Sequence, residues 1–499
     1  MEIFRSLSEV WNWLMAHLLV INLILSVIIV FFQRRDPKAV WTWLLALYFV
    51  PVFGFLFYLL LCQDMKKSKM FRIKEVEDKL RISAKGQEQF IRSHDLNIDE
   101  PMGRDYKDLV LYNLELSGAV LTVNNQVEIF SDGEEKFQDL RREMKKARRF
   151  IHIQYYIIKN DEVFDSIVPI LMDKVKEGVE VRILYDGMGG RFMPEKRWNE
   201  LRQAGIKVGE FFPASLGRLN LRVNYRNHRK IVVIDNEVGY VGGFNIGKEY
   251  IGKDKKFGYW RDTHLKIRGE AVISLEIRFA LDWNYAAEEN LFLHAGYFDL
   301  NGWEAQETEN VREGKSLPLG IQIITSGPDV ESRQIRNNYL ELFHKAKKHI
   351  YIQTPYFVPD DAILSALQIA ARSGVDVRLM IPCMPDHPFV YWATYSYVGD
   401  LLQAGARCYK YEDGFLHAKG VMCDGRVSCY GTANMDIRSF ELNFEVNAVI
   451  YDEETTGRLE QIFLYDLQSC HEITMEEYEN RPLWIRFKEQ SSRLLSPLL

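Results

Sequence analysis

The sequence predicts an α/β protein of two pseudo-symmetric lobes, each a mostly parallel sheet flanked by helices, behind an N-terminal hairpin of two apolar helices. Three observations carry this. The string His-x-Lys-x4-Asp occurs twice, at His228, Lys230 and Asp235 and again at His417, Lys419 and Asp424. Strand and helix segments around the two copies repeat in the same order. Two apolar runs open the chain.

The apolar runs extend from Trp13 to Phe32, interrupted only by His17, Asn22 and Ser26, and from Trp41 to Cys62 without a charged residue. Each has about the 20 residues needed to cross a bilayer. Trp11, Trp13, Trp41 and Trp43 sit near run ends, where an aromatic belt is expected. No small-residue cleavage site follows the first run, and the second arrives soon after the polar turn Gln33-Arg34-Arg35-Asp36-Pro37-Lys38, which disfavours a signal peptide. The expectation is therefore a transmembrane hairpin over 1–62 in the cell membrane. Lys66, Lys67, Lys69, Arg72 and Lys74 follow it, against Arg34, Arg35 and Lys38 in its turn. The larger basic count belongs on the cytoplasmic side, with the remaining chain, and suits contact with an anionic membrane surface.

Residues 63–115 are charged and mostly helical in pattern, a juxtamembrane connector. In the first lobe, 116–300, Phe150 to Ile157 reads as a strand that parallels His349 to Phe357 in the second lobe, 319–499. Lys176 to Leu184 then matches Arg372 to Met380, and Arg202-Gln-Ala-Gly205 matches Leu402-Gln-Ala-Gly405. Strands alternating with helices imply βαβ units. The stretch 301–318, with Glu304, Glu307, Glu309 and Glu313, reads as a solvated linker.

His is scarce, 11 of 499 residues, so two such strings are no coincidence. Each copy also has an asparagine ten residues beyond its aspartate, Asn245 and Asn434, just after a glycine-containing turn. Ile231 to Ile234 is β-branched throughout and reads as a buried strand in which alternate residues share a face. His228 and Lys230 therefore point the same way, as do His417 and Lys419. An imidazole beside an ammonium suits a phosphoryl oxygen: lysine supplies positive charge, and histidine attacks phosphorus or carries a proton. Two halves related by a pseudo-two-fold axis bring both pairs to one cleft.

An attacking histidine needs an acceptor on its other nitrogen. Asp262 and Glu445, each some thirty residues beyond its own lobe's histidine, are the candidates. Asp235 and Asp424 complete the catalytic strings, although their place at strand ends suits fixing a turn better than touching substrate. Arg218, Arg222, Arg226 and Arg229 crowd the approach to the first string, a candidate clamp for a second phosphate. Phe389, Tyr391, Trp392, Tyr395 and Tyr397 form an aromatic segment that reads either as core or as an element dipping into lipid.

The 63 basic and 69 acidic residues, net −6, argue against a general nucleic-acid binder. Six cysteines show no C-x-x-C pair and no metal-ligand spacing with histidine, so neither metal nor other cofactor is expected.

The duplicated string with its downstream glycine and asparagine resembles the phospholipase D superfamily. Longer stretches narrow the likeness: His228 to Asp235, Tyr240 to Gly247, Trp260 to His264, Gly431 to Glu445 and the terminal Arg493 to Leu499 are similar to bacterial cardiolipin synthases, which also begin with a two-helix anchor. Gly420 and Cys423 depart from the usual strand residues of the second string. The resemblance covers essentially the whole chain. It implies phosphatidyl transfer between two phosphatidylglycerol molecules, giving cardiolipin and glycerol through a phosphatidyl-histidine. It further implies His228 as nucleophile, His417 as acid and base, and Lys230, Lys419, Asn245 and Asn434 as ligands of the phosphate oxygens. No metal enters the scheme, and an oligomer is compatible with it. The rivals are a hydrolytic phospholipase D, a transferase for another headgroup and an inactive membrane scaffold. A nuclease is disfavoured by the hairpin and the charge.

Overall fold

The computed structural model describes residues 2–32, 37–52, 54–55, 58, 84–92, 100–213, 224–287, 289–298, 319–330, 332–494 and 496. The predicted linker 301–318 and the basic stretch after the hairpin lie outside these.

Each histidine string sits at the middle of a sheet. In the first lobe the strand order is Asn125–Phe130, His264–Gly269, Val238–Gly242, Ile231–Ile234, Phe150–Tyr155, Glu180–Asp186 and Lys207–Phe211. In the second, Gly320–Ser326, Asn443–Tyr451, Val427–Gly431, Gly420–Cys423, His349–Gln353, Asp376–Pro382 and Arg407–Tyr411 follow the same plan, with short edge strands added. Only the last three strands of each series run parallel to one another. The rest pair antiparallel. The expectation of mostly parallel sheets is thus corrected to mixed ones. The helical crossovers joining the parallel strands were visible in the repeat. In the other half of each sheet one hairpin turns in three residues, at Asp235–Glu237 and at Asp424–Arg426, while the remaining antiparallel pairs come from distant segments, and alternation alone does not report direction.

The repeat holds in its details. Gly205 and Gly405, at φ 93° and 91°, end matching helices in the left-handed conformation that glycine adopts without penalty. The lobes pack sheet to sheet across a shared core. Val233, Leu265, Phe279 and Trp283 of the first meet Met380, Phe444, Val446 and Phe463 of the second, with helices Ala271–Ala287 and Glu453–Asp466 contributing to this layer. Separate cores under the outer helices complete the stack.

The boundary near residue 116 differs from the expected one. Strand Leu121–Thr122 joins the second lobe's sheet, and the preceding helix Glu100–Ser117 buries Asn113 against Gln322, Asn338 and Tyr451. The end of the connector is therefore part of the second lobe.

The two apolar runs form helices Glu2–Phe32 and Pro37–Phe49. They pack on one another: Asn22 Nδ2 donates to the Leu47 and Pro51 carbonyls, and Trp43 meets Tyr58 edge to face. Among the described residues no helix is long and apolar enough to cross a membrane. This corrects the expected pair of spanning helices. The second helix is continuous over Pro37–Phe49, and further helical residues at 51–52, 54–55 and 58 carry on the second run. The remainder of the second run is largely outside the described set.

Candidate active site

The lobes exchange strands at their interface. Arg226–Asn227, leading into the first string, pairs parallel with Asn443–Phe444 of the second lobe. Phe415–Leu416, leading into the second string, pairs parallel with Trp260–Arg261 of the first. His228 N then donates to Phe444 O (2.9 Å) and His417 N to Arg261 O (2.7 Å). Each histidine is hung on the opposite lobe by its own backbone.

The carboxylates are exchanged with the strands. His228 Nδ1 lies 3.0 Å from both Glu445 oxygens, and His417 Nδ1 lies 2.6 Å from Asp262 Oδ2. Sequence spacing paired each carboxylate with the histidine of its own lobe; the structure pairs it with the other. Each carboxylate lies one residue beyond the carbonyl that accepts the histidine N–H, so Phe444 and Glu445 address His228 together. With Nδ1–H donating to the carboxylate, each imidazole keeps its Nε2 lone pair for the ligand.

Both histidines line one cleft of about 660 Å³ between the lobes, with Asn245, Asn434, Arg226, Tyr156, Trp260 and Tyr356 among its walls. A ring flanks each: Tyr156 lies 5.2 Å from His228, and Trp260 5.1 Å from His417, centroid to centroid. Lys230 Nζ donates to the His228 carbonyl at 2.7 Å, and Lys419 Nζ to the His417 carbonyl. Lys419 Nζ also stands 2.8 Å from His417 Nδ1, competing with Asp262 for that nitrogen. Among the described residues no lysine hydrogen-bonds His228 Nδ1.

Burial governs the protonation states. It pushes Lys230 down to about 7 and Lys419 to about 8, with Glu445 and Asp262 respectively the main opposing charges. It lowers His228, and lowers His417 to about 4 with help from Lys419. Burial opposes the charge of Asp262 and Glu445 too, yet Lys419 and His417 hold the former, and His228 and Lys230 the latter, below the usual carboxylate range. At neutral pH the site holds neutral imidazoles on ionised carboxylates, beside lysines poised to lose their charge.

Asp235 and Asp424, counted among the catalytic residues, do not reach the cleft. At φ 55° and 58° they turn back on the chain, and each carboxylate accepts three backbone N–H groups, from Arg148, Arg149 and Phe150 or from Lys347, Lys348 and His349. They fasten the far ends of the histidine strands to the neighbouring strands. Arg229 also turns from the cleft, to Asp282 and to the Glu445 and Ser326 carbonyls. Arg218 and Arg222 lie outside the described residues. Arg226 lines the cleft, with Nη1 donating to the Tyr225 carbonyl.

The comparisons with known proteins agree with this geometry. A family model for the cardiolipin synthase, PLD-like domain matches residues 140–259 and 339–467, and one for the phospholipase D-nuclease N-terminal region matches 20–61. The major cardiolipin synthase of Bacillus subtilis is 46% identical over 491 residues, covering 97% of this chain and 99% of its own. The chain belongs to the bacterial cardiolipin synthases of the phospholipase D superfamily. A cardiolipin synthase of Staphylococcus aureus is likewise 46% identical, over 96% of this chain and 95% of its own. The crystal structure of a phosphatidylserine synthase from Haemophilus influenzae, 15% identical, covers 78% of this chain and 99% of its own at a TM-score of 0.58, a likeness of fold.

In this cardiolipin synthase family member several cleft features escape the sequence motifs. Buried Asp186 accepts N–H groups from Asn227, Met188 and Gly189, tying the strand before His228 to the sheet end; burial raises it to about 6. Asp436 caps helix Ile437–Glu441 and is likewise raised to about 6. Arg438, on the same wall, donates to Asn224 of the first lobe. The two motif asparagines also differ from each other. Asn245 Nδ2 donates to Tyr250 OH, whereas Asn434 Nδ2 faces Asp436 at 3.5 Å.

Proposed function

We propose that this enzyme transfers a phosphatidyl group from one phosphatidylglycerol to a second, giving cardiolipin and glycerol, through a phosphatidyl-histidine. The observation that carries the reading is one cleft holding two neutral histidines, each oriented through Nδ1 by a carboxylate of the other lobe. A single displacement by water needs one base. A pair suits two displacements with a covalent intermediate between them.

His228 Nε2 attacks the donor phosphorus while the bond to the headgroup glycerol breaks, and His417, protonated on Nε2 once the anionic phosphodiester is bound beside it, gives that proton to the departing oxygen. His417 then takes a proton from a hydroxyl of the second lipid, whose oxygen displaces His228 from phosphorus. Lys230 and Lys419 meet the charge on the non-bridging oxygens, where a buried ammonium counts for more than in water. Asn245 and Asn434 border the same phosphate. His228 is the nucleophile because, among the described residues, its Nδ1 answers to Glu445 alone; the competition at His417 between Lys419 and Asp262 suits a group that must exchange protons.

Catalysis belongs at the cell membrane, with the lobes on the cytoplasmic side. Supporting this are the two packed apolar helices, the five basic residues after them and an apolar face on the C-terminal helix Leu483–Leu494, where Leu483, Trp484 and Phe487 stand exposed. Exposed tryptophan and phenylalanine in a row fit an interface better than water.

The test is one incubation with phosphatidylglycerol in mixed micelles without added metal. Cardiolipin with equimolar glycerol, abolished by His228→Ala and by His417→Ala, is expected. Phosphatidic acid as the product would make water the acceptor and overturn the transferase reading.

A further inference from the structure

The pseudo-two-fold relation pairs positions as well as strands. Phe415 lies in register with Trp260, and Arg226 with Asn443. Trp260 and Asn443 are therefore equivalents, each two residues before a histidine-holding carboxylate. Both line the cleft and both are 6% exposed. Each carries a polar atom without a hydrogen-bond partner among the described residues, Nε1–H of Trp260 and Oδ1 of Asn443; Asn434 Oδ1, also on the cleft wall, is a third. A buried polar atom left unpaired costs about 1–3 kcal/mol. Three such atoms belong to residues that line one cleft, so its walls carry unmet hydrogen-bonding demand.

The sign of each atom is informative. Asn443 Nδ2 donates to Glu445 Oε1 at 3.1 Å, and exchanging its nitrogen and oxygen would set two oxygens face to face. Its remaining atom is therefore an acceptor, and the same reasoning applies to Asn434 beside Asp436. A phosphate ester brings only acceptor oxygens and leaves these atoms unsatisfied. The ligand must bring a donor there. Arg226, in register with Asn443, and Arg438 line the same cleft, so a cationic headgroup would meet like charge, whereas a neutral hydroxyl does not.

We propose that Asn443 reads the headgroup: its Oδ1 accepts a hydrogen bond from a hydroxyl of the glycerol on phosphatidylglycerol, with Asn434 Oδ1 a second acceptor on the same wall. The proposal rests on the transfer reaction above and adds the residue that selects a polyol headgroup. The equivalent Trp260 presents a donor instead, so the two ends of an otherwise two-fold cleft differ in what they ask of a headgroup.

The experiment uses the full chain in mixed micelles with excess free glycerol as the acceptor hydroxyl for both donors, and compares release of radiolabelled headgroup alcohol from phosphatidylglycerol and from phosphatidylpropanol, which has the same carbon skeleton without the free hydroxyls. The wild type is expected to prefer phosphatidylglycerol. In Asn443→Ala, kcat/KM on phosphatidylglycerol is expected to fall about tenfold, the worth of a lost hydrogen bond in a dry site. On phosphatidylpropanol it should change far less, so that the preference collapses. An equal fall on both substrates would show that Asn443 acts only through Glu445 and His228, and would overturn the proposal; so would an unchanged preference. Should the alanine variant fail to fold, Asn443→Ser, which keeps a shorter acceptor, is read by the same ratio. A wild type that makes no cardiolipin from phosphatidylglycerol would instead overturn the reaction itself, an outcome separate from the variant's selectivity.

Discussion

The strands that follow the two histidine-lysine pairs differ in a way that separates packing from chemistry. In the first lobe Ile231 lies in register with Val241; at the matching place in the second lobe Gly420 lies in register with Tyr430. Two medium side chains are replaced by none and a large one. A Cβ on Gly420 would come within 2.1 Å of the Tyr430 ring, so the glycine is required by that ring. Tyr430 in turn donates to Gln353 Oε1 at 3.2 Å, closing the space. The same place is filled by a different division of side chains, as close-packed cores allow. The polar frame does not vary in this way. In both lobes the histidine N–H reaches across to the other lobe, the imidazole rests on that lobe's carboxylate, and the motif aspartate gathers three backbone N–H groups. The first strand tolerates redesign because it only fills space; the frame sets where Nε2 points.

The largest way to test that contrast is to remove the frame. Replacing either histidine by alanine is expected to lower cardiolipin formation by about 10⁴-fold or more, since a covalent step or its proton transfer disappears. Glu445→Gln and Asp262→Asn keep the shape but lose the charge that fixes the tautomer, and are expected to cost about 10²- to 10³-fold in initial rate. A loss under tenfold for both would contradict the exchanged pairing. Next come Asp235→Ala and Asp424→Ala. Each frees three N–H groups, so each should lower stability by roughly 3 kcal/mol in denaturant titration. Matching losses are expected because the two sites match; Asn at either position, retaining one acceptor and tolerating positive φ, should recover much of it.

Gly420→Ala is expected to cost about 1–3 kcal/mol through the clash with Tyr430, and Tyr430→Val in the same chain should restore most of it. The equivalent pair in the first lobe has no such coupling to lose. The smallest effect is in pH. Lys230 and Lys419 lose their charge near 7 and 8 rather than near the ~10.4 of an unburied lysine. kcat/KM should therefore decline above pH 7–8 as positive charge leaves the phosphate site. Stability should move the other way. Between those values and ~10.4 the unfolded chain binds more protons, so folding strengthens as pH rises through that window. Activity falling while the unfolding midpoint rises is the expected signature, and both moving together would contradict it.

Much of this was legible in the sequence because it is local. The β-branched run Ile231 to Ile234, the glycines at 205 and 405 and the repeated string each declare themselves within a few residues, and they predicted two lobes and one shared cleft. The direction of half the strands was not legible, since a hairpin strand and a crossover strand have the same composition. Nor was the exchange of carboxylates: Asp262 and Glu445 were found as acids at matching positions, but which histidine each serves is decided by inter-lobe register, a property of packing. Asn443 lay hidden beside them, because a buried asparagine shows its purpose only through the partner its oxygen lacks. Asp235 and Asp424 belong to the motif by spacing and to the scaffold by contact.

The central claim is that two histidines from two lobes divide one transfer, His228 carrying the phosphatidyl group and His417 the proton. The most direct measurement is a short incubation of His417→Ala with phosphatidylglycerol radiolabelled in the phosphate, quenched and mapped for covalent label. Label on His228, absent from His228→Ala, is the expected result. Label on His417 in the His228→Ala protein, or none in either variant alongside wild-type turnover, would contradict it.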